Sequence, residues 1–363
     1  MNDILTRLPE DAKKLYDDMQ SGRVLGAANH IRMIGDILLS IATPGSGTDA
    51  ERRSDVLTMS RFFQDTRGKS SYAVVTAINL MMRYVRSPDK NNASQLNETN
   101  REAEMQADFG RSVTRDWDGS KVKRGGAQPS RDETLDIATA VKRGIDEYRS
   151  QAVEHAKLIT AYATRLARDM DTLIVFDYSS TVEAFIAALA PARKIYVPES
   201  RIIDGGRPFL QTFADAGHDV HFIPDAAMLT VLDECKGAFI GAETFYPDGT
   251  AFNTAGSDIL AELCKARNIP YYVLTPLIKL DMRATKGIFK QPIAGDMTAR
   301  LGTGLPPKLV GQIDFTCTEL VGVPPAHVTA FVTEEGIIPT NALFAISAAY
   351  DKRTNPENER NAL

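Results

Sequence analysis

From Thr172 onward, short apolar runs alternate with helical stretches. The runs fall at Thr172–Phe176, Lys194–Val197, Val220–Ile223, Ala238–Gly241, Tyr271–Leu274 and Val328–Val332. Between them lie the helical stretches Val182–Leu189, Pro208–Ala216 and Ile259–Arg267. Strands and helices at this pitch imply right-handed crossovers and a mainly parallel sheet. The expectation is a Rossmann-like α/β domain over residues 170–350 that holds a ligand beyond the carboxyl ends of its strands.

The residues before it have another texture. Ile31, Ile34, Ile37 and Leu38 follow helical spacing. Ser71–Val85 is apolar most of the way round, which predicts a buried helix. Residues 87–130 are rich in Asn, Asp, Lys, Gly and Ser and read as a long mobile insertion, with a short helix near Glu102–Phe109 and Trp117 as an anchor. Ser130 and Glu133 form a capping-box pattern ahead of a helix over about 132–168. The organisation expected is a helical domain over 1–168, the Rossmann-like domain, and a frayed polar tail from Lys352. A chain of 363 residues suits two domains at roughly 150 residues each.

Several function classes drop out. The formal charge of −5 gives no field to draw nucleic acid, and Lys121, Lys123 and Arg124 read as solvated loop residues. Cys235, Cys264 and Cys317 are scattered and the five histidines make no HExxH pattern, so no metal is expected. Neither a signal peptide nor an apolar run of roughly 18 residues is present, so membrane attachment is not expected and a reducing cytoplasm is. Without secretion, the glycosylation patterns at Asn92 and Asn97 are chance matches. No GxGxxG follows a strand and there is no GxxxxGK[ST], so no dinucleotide cofactor or P-loop chemistry is implied.

Two strand-to-helix junctions could hold an anion. At Asp177-Tyr178-Ser179-Ser180-Thr181, hydroxyl residues open a helix whose free N–H groups favour negative charge; the plainer reading is a helix cap. The other runs from Gly241-Ala242-Glu243 through the Asp248-Gly249 turn to Asn253 and a helix starting near Gly256. Glu243 stands at the mouth of the sheet, where an acid is either catalytic or merely salt-bridged.

An ordered set of motifs then becomes specific. Val197-Pro198-Glu199-Ser200-Arg201 with Gly206-Arg207 comes first, followed by Ile223-Pro224-Asp225-Ala226-Ala227-Met228 and Gly241-Ala242-Glu243. Asp248-Gly249, Asn253 with Gly256, Ile269-Pro270-Tyr271-Tyr272-Val273, Asp314-Phe315-Thr316 and Thr333–Pro339 complete it. The set resembles the superfamily of the regulatory α, β and δ subunits of translation initiation factor 2B. Methylthioribose-1-phosphate isomerase and ribose-1,5-bisphosphate isomerase belong to the same superfamily. In the helical half the resemblance rests on Gly26-Ala27 and Thr66-Arg67.

That resemblance implies a ligand site between the two domains, with Arg67 and Arg201 gripping phosphate and Gly26, Ala27, Ser179, Ser180 and Asn253 around it. It also implies a homodimer through the C-terminal domain, and related subunits as partners. The isomerases have a cysteine after the first Rossmann strand and an aspartate in a Gly-Ala-Asp motif; here those positions hold Asp177 and Glu243. Thr254 replaces a lysine, Leu25 an arginine and Ile202 a proline. Tyr178-Ser179-Ser180 and Gly-Ala-Glu resemble the non-catalytic α-type subunits.

Two functions follow as expectations. One is a regulatory protein that binds a sugar phosphate or nucleotide. The other is an aldose–ketose isomerase using Asp177 and Glu243 as a carboxylate pair with split pKa values. A third reading makes the insertion at 87–130 a lid or a partner-binding arm.

Overall fold

The computed structural model describes residues 5–21, 27–45, 47–86, 135–291 and 293–355. The expected insertion with its short helix, Trp117, the Ser130–Glu133 pattern, Leu25 and Gly26 all lie outside the described residues.

The first half is helical. Helices α1 (Glu10–Gln20), α2 (Ala27–Ala42), α3 (Asp49–Asp65) and α4 (Tyr72–Met81) precede the long α5 (Ile137–Leu166). On α2, the spaced residues Ile31, Ile34, Ile37 and Leu38 are all buried. Helix α3 begins with a reciprocal cap: the Glu51 amide donates to Thr48 Oγ1 at 3.3 Å, and the Thr48 amide donates to the Glu51 carboxylate at 2.7 Å. The apolar α4 is buried on nearly every side. It meets α5 where Gly144 leaves no side chain; a Cβ there would lie 1.9 Å from the Met81 carbonyl oxygen.

Helix α5 starts at Ile137, with the Asp136 carboxylate accepting the Thr139 amide at 3.0 Å. Its 30 residues span about 45 Å. The early residues Ile137, Val141 and Ile145 join the helical core, whereas Ile159 and Ala163 pack under the sheet. One rigid element therefore serves both halves.

Seven strands form the main sheet: β1 (Thr172–Phe176), β2 (Lys194–Pro198), β3 (Asp219–Ile223), β4 (Gly237–Ile240), β7 (Tyr271–Leu274), β10 (Ala330–Thr333) and β11 (Gly336–Ile338). Their order is β11-β10-β7-β4-β1-β2-β3, parallel except for β11. Alternate residues feed separate cores on the two faces: Ile174 and Phe176 on one, Leu173 and Val175 on the other. Helices α6 (Ser180–Ala187), α7 (Phe209–Asp215), α8 (Ser257–Arg267) and α9 (Thr340–Thr354) flank the sheet. Burial on both faces explains why the central strands are continuous apolar runs.

A second, antiparallel sheet has the order β5-β6-β9-β8, with β5 at Thr244–Phe245, β6 at Ala251–Thr254, β8 at Ile293–Asp296 and β9 at Thr316–Val323. Of this sheet, only the turn is marked in the sequence. Asp248-Gly249 is the tip of the β5–β6 hairpin, with Gly249 at a φ of 93° and the Thr250 amide bonded to Asp248 at 2.8 Å. Residues 352–355 of the tail expected to be frayed are ordered: α9 continues to Thr354, and buried Asn355 accepts a 2.6 Å bond from Asn79 of α4; residues 356–363 lie outside the described residues.

Candidate functional site

The strand order reverses between β1 and β4, and a ligand crevice in such sheets lies beyond the carboxyl ends at that point. Phe176 pairs with Ile240 at the last register position, so Asp177 and Gly241-Ala242-Glu243 leave adjacent strands side by side.

Asp177 is buried and sits at a φ of 60°. Thr254 Oγ1 donates to Oδ2 at 2.8 Å, and Ser200 Oγ donates to Oδ1 at 3.1 Å. Burial raises its pKa; the hydrogen bonds from Thr254 and Ser200 oppose the rise, and the charge of Asp225 adds to it. Gly205 closes over the carboxylate, and a Cβ there would lie 1.9 Å from Oδ1.

Asp225 in turn accepts the backbone amides of Ser200 and Arg201, each at 2.8 Å. Arg300 donates to the Ile202 carbonyl from outside. Ser200 and Asp204 have φ values of 50° and 54°. Three non-glycine residues in the left-handed region thus meet in one loop system, a concentration of backbone strain that points to a functional site.

At the start of α6, Ser179 caps the helix through a 3.5 Å contact with the Val182 amide, as the plainer sequence reading has it. It also packs on Gly241, where a Cβ would lie 2.5 Å from Ser179. Ser180 is exposed in the first turn. Asn253 is buried in β6 beside Thr254.

Glu243 is not tied to Asp177. Its carboxylate bonds Lys290 Nζ at 2.6 Å, while both Asp177 oxygens are taken by Ser200 and Thr254. The acid whose charge adds to the Asp177 shift is Asp225. Lys279, on the loop after β7, donates to the Ala242 carbonyl at 2.6 Å.

The predicted phosphate arginines have local partners. Arg67 donates to the Met19 carbonyl at 2.9 Å. Half-exposed Arg201 lies 3.7 Å from Glu199. Ala27 opens α2. Arg67 also begins a single helical turn, Arg67–Ser70, whose carbonyls face the sheet half. Arg283 donates to Gly68 and Lys69 at 3.2 and 3.3 Å, and Lys290 to Ser70 at 3.3 Å. These bonds join the halves beside the site.

Lys279, Lys290, Arg283 and the clamp by Asp225 escaped the sequence reading as site features. Glu243 and Lys290 are 47 positions apart, and no local pattern links them. Among the described residues, no group of three or more His, Cys, Asp or Glu side chains could hold a metal ion, and no helix is long and apolar enough to cross a membrane.

Comparison with known proteins agrees with this architecture. Methylthioribose-1-phosphate isomerase of Bacillus cereus is 27% identical over 225 residues, covering 56% of this chain and 61% of that protein. Translation initiation factor eIF2B subunit delta of Schizosaccharomyces pombe is 24% identical over 221 residues, 56% of this chain and 46% of that one. The chain thus matches less than two thirds of the length of both. The crystal structure of a Pyrococcus horikoshii translation initiation factor eIF-2B superposes with a TM-score of 0.60 at 18% identity, over 92% of this chain and 98% of that one, which shows a shared fold. The family model of the initiation factor 2 subunit family matches residues 65–340. That match spans α4 and α5 of the helical half, the switch point and both sheets, and the chain belongs to the initiation factor 2 subunit family.

Proposed function

We propose that this protein binds a phosphorylated sugar or nucleotide between its halves and acts as a regulatory member of the family, without isomerase turnover. The observation that carries this reading is the state of the two carboxylates. Asp177 holds the Ser200 and Thr254 hydroxyls, and Glu243 holds Lys290. Each is committed to organising loops, and a proton shuttle needs a carboxylate free to reach the reacting carbon. The start of α6 then supplies backbone N–H groups, and the strained loop supplies Arg201, to an anion.

Incubation with ribose 1,5-bisphosphate and with methylthioribose 1-phosphate is expected to give binding in calorimetry and no ketose by NMR. Ketose formation would overturn the reading. One observation favours the alternative: the raised pKa of Asp177 suits a general acid. An isomerase of that kind would lose its activity in both Asp177→Ala and Glu243→Ala, and a fully active double variant would end it.

Self-association through the Rossmann-like half belongs to the same proposal. Ile288, Phe289, Leu301, Leu309 and Ile313 are exposed there within 26 residues of chain, more apolar surface than scattered single side chains present. Sedimentation velocity is expected to show a dimer or a higher species, and a monomer at micromolar concentration would refute this part.

A further inference from the structure

We propose that the open groove between α5 and α6 is a docking site for an acidic amphipathic helix of a partner protein. This surface shares no residue with the switch-point site and does not depend on what that site binds.

The groove has a volume of about 800 Å³ and is open to solvent. Val153, Ala156, Thr160 and Thr164 line it at steps of three, four and four, which is one stripe down α5. Ala184 and Ala188 line it from the α6 side. The same long helix already buries Ile159 and Ala163 under the sheet, so the groove is a second side of it. A stripe of helix that faces water is ordinarily charged. Here Val153 is 55% exposed and its neighbours along the stripe are alanine and threonine. Side chains this small let the axis of another helix come close.

The charges are one-sided. Lys157, Arg165, Arg168 and Arg193 edge the groove, and no carboxylate lines it. Lys157 donates to Glu154 at 2.6 Å. Arg193 donates to the Met170 and Arg168 carbonyls at 3.0 and 2.8 Å, which are neutral. Arg165 and Arg168 are exposed and have no acid partner among the described residues. Three arginines therefore stand without an acid at one end of an apolar seam. A helix with apolar residues at steps of three and four, and with acids at one end, matches both features. From Val153 to Arg165 the seam runs about 18 Å, so a helix of about 15 residues covers it and reaches Arg168. A second copy of this chain would set the same cations against one another. An acyl chain would lie half in water here, whereas small-molecule sites bury most of their ligand.

The test is selection from a displayed library of helix-forming peptides of about 15 residues against the full chain. Enriched peptides are expected to carry the apolar stripe and the acidic end, and to bind more weakly as salt rises. Ala161→Arg, which fills the groove, is expected to weaken them about tenfold or more. The double variant Arg165→Glu with Arg168→Glu is expected to do the same, and to prefer a peptide with lysines in place of the acids. All three positions are exposed, and circular dichroism verifies that the variants are folded. No enrichment, enriched peptides without acids, or equal binding to Ala161→Arg refutes the proposal. Displacement of the peptide by palmitate would assign the groove to an acyl chain, and loss of self-association in Ala161→Arg would assign it to a second copy; either result overturns the proposal.

Discussion

Replacing Thr254 by valine tests whether Asp177 is an organising charge. The side chain is buried in β6 and its hydroxyl donates to Asp177 Oδ2 at 2.8 Å. Valine keeps the shape and removes the donor. A hydrogen bond to a charged group contributes about 1.5–3 kcal/mol, and the added methyl recovers under about 1 kcal/mol. The net loss is about 1–2 kcal/mol at neutral pH.

The pH dependence follows from the raised pKa of Asp177. The folded protein holds this proton more tightly than the unfolded chain. Stability therefore falls as pH rises from the ordinary carboxylate value of 3.8 through the folded value, and the full cost stands above that window. Thr254 is one of the groups holding the pKa down, so its loss raises the pKa further and widens the window. Urea denaturation followed by circular dichroism at pH 7.5 and pH 4 measures both states. The variant should be destabilised at pH 7.5 and clearly less so at pH 4. A difference under about 0.5 kcal/mol at pH 7.5, or one equal at both pH values, would refute the reasoning.

Gly144→Ala should cost about 3 kcal/mol or more, because its Cβ would meet the Met81 carbonyl oxygen at 1.9 Å; an unchanged melting temperature would show that α4 and α5 do not pack this closely. Arg283→Met leaves buried Asp281 without its partner and removes the bonds to Gly68 and Lys69. It should destabilise by about 3 kcal/mol and expose the junction of the halves to limited proteolysis; wild-type resistance would argue against that tie. In thiol labelling of the native protein, partly exposed Cys317 should react first, since burial pushes the Cys235 and Cys264 thiols up to about 12. Equal rates at all three would contradict this burial.

What local chemistry dictates was readable from the chain. Central strands such as Thr172–Phe176 and Tyr271–Leu274 are buried on both faces, so they stand out as apolar runs. The hydrophobic spacing of α2 and the turn at Asp248-Gly249 have the same local origin. The antiparallel sheet did not stand out. In Thr316–Val323 exposed, partly buried and buried positions mingle without alternation, and its pairing with β6 joins residues far apart in the chain.

The candidate site divides along the same line. Asp177, Glu243 and the Ser200-Arg201 motif were visible as residues placed after predicted strands, because strand ends are a property of sequence. Which charges meet there was decided by the tertiary structure alone. Glu243 joins Lys290 rather than Asp177, Asp177 receives hydroxyls from two other elements, and Lys279 arrives from a third strand end. Electrostatic partners are set by distances of a few ångströms across the sheet edge, and separation along the chain carries no information about them.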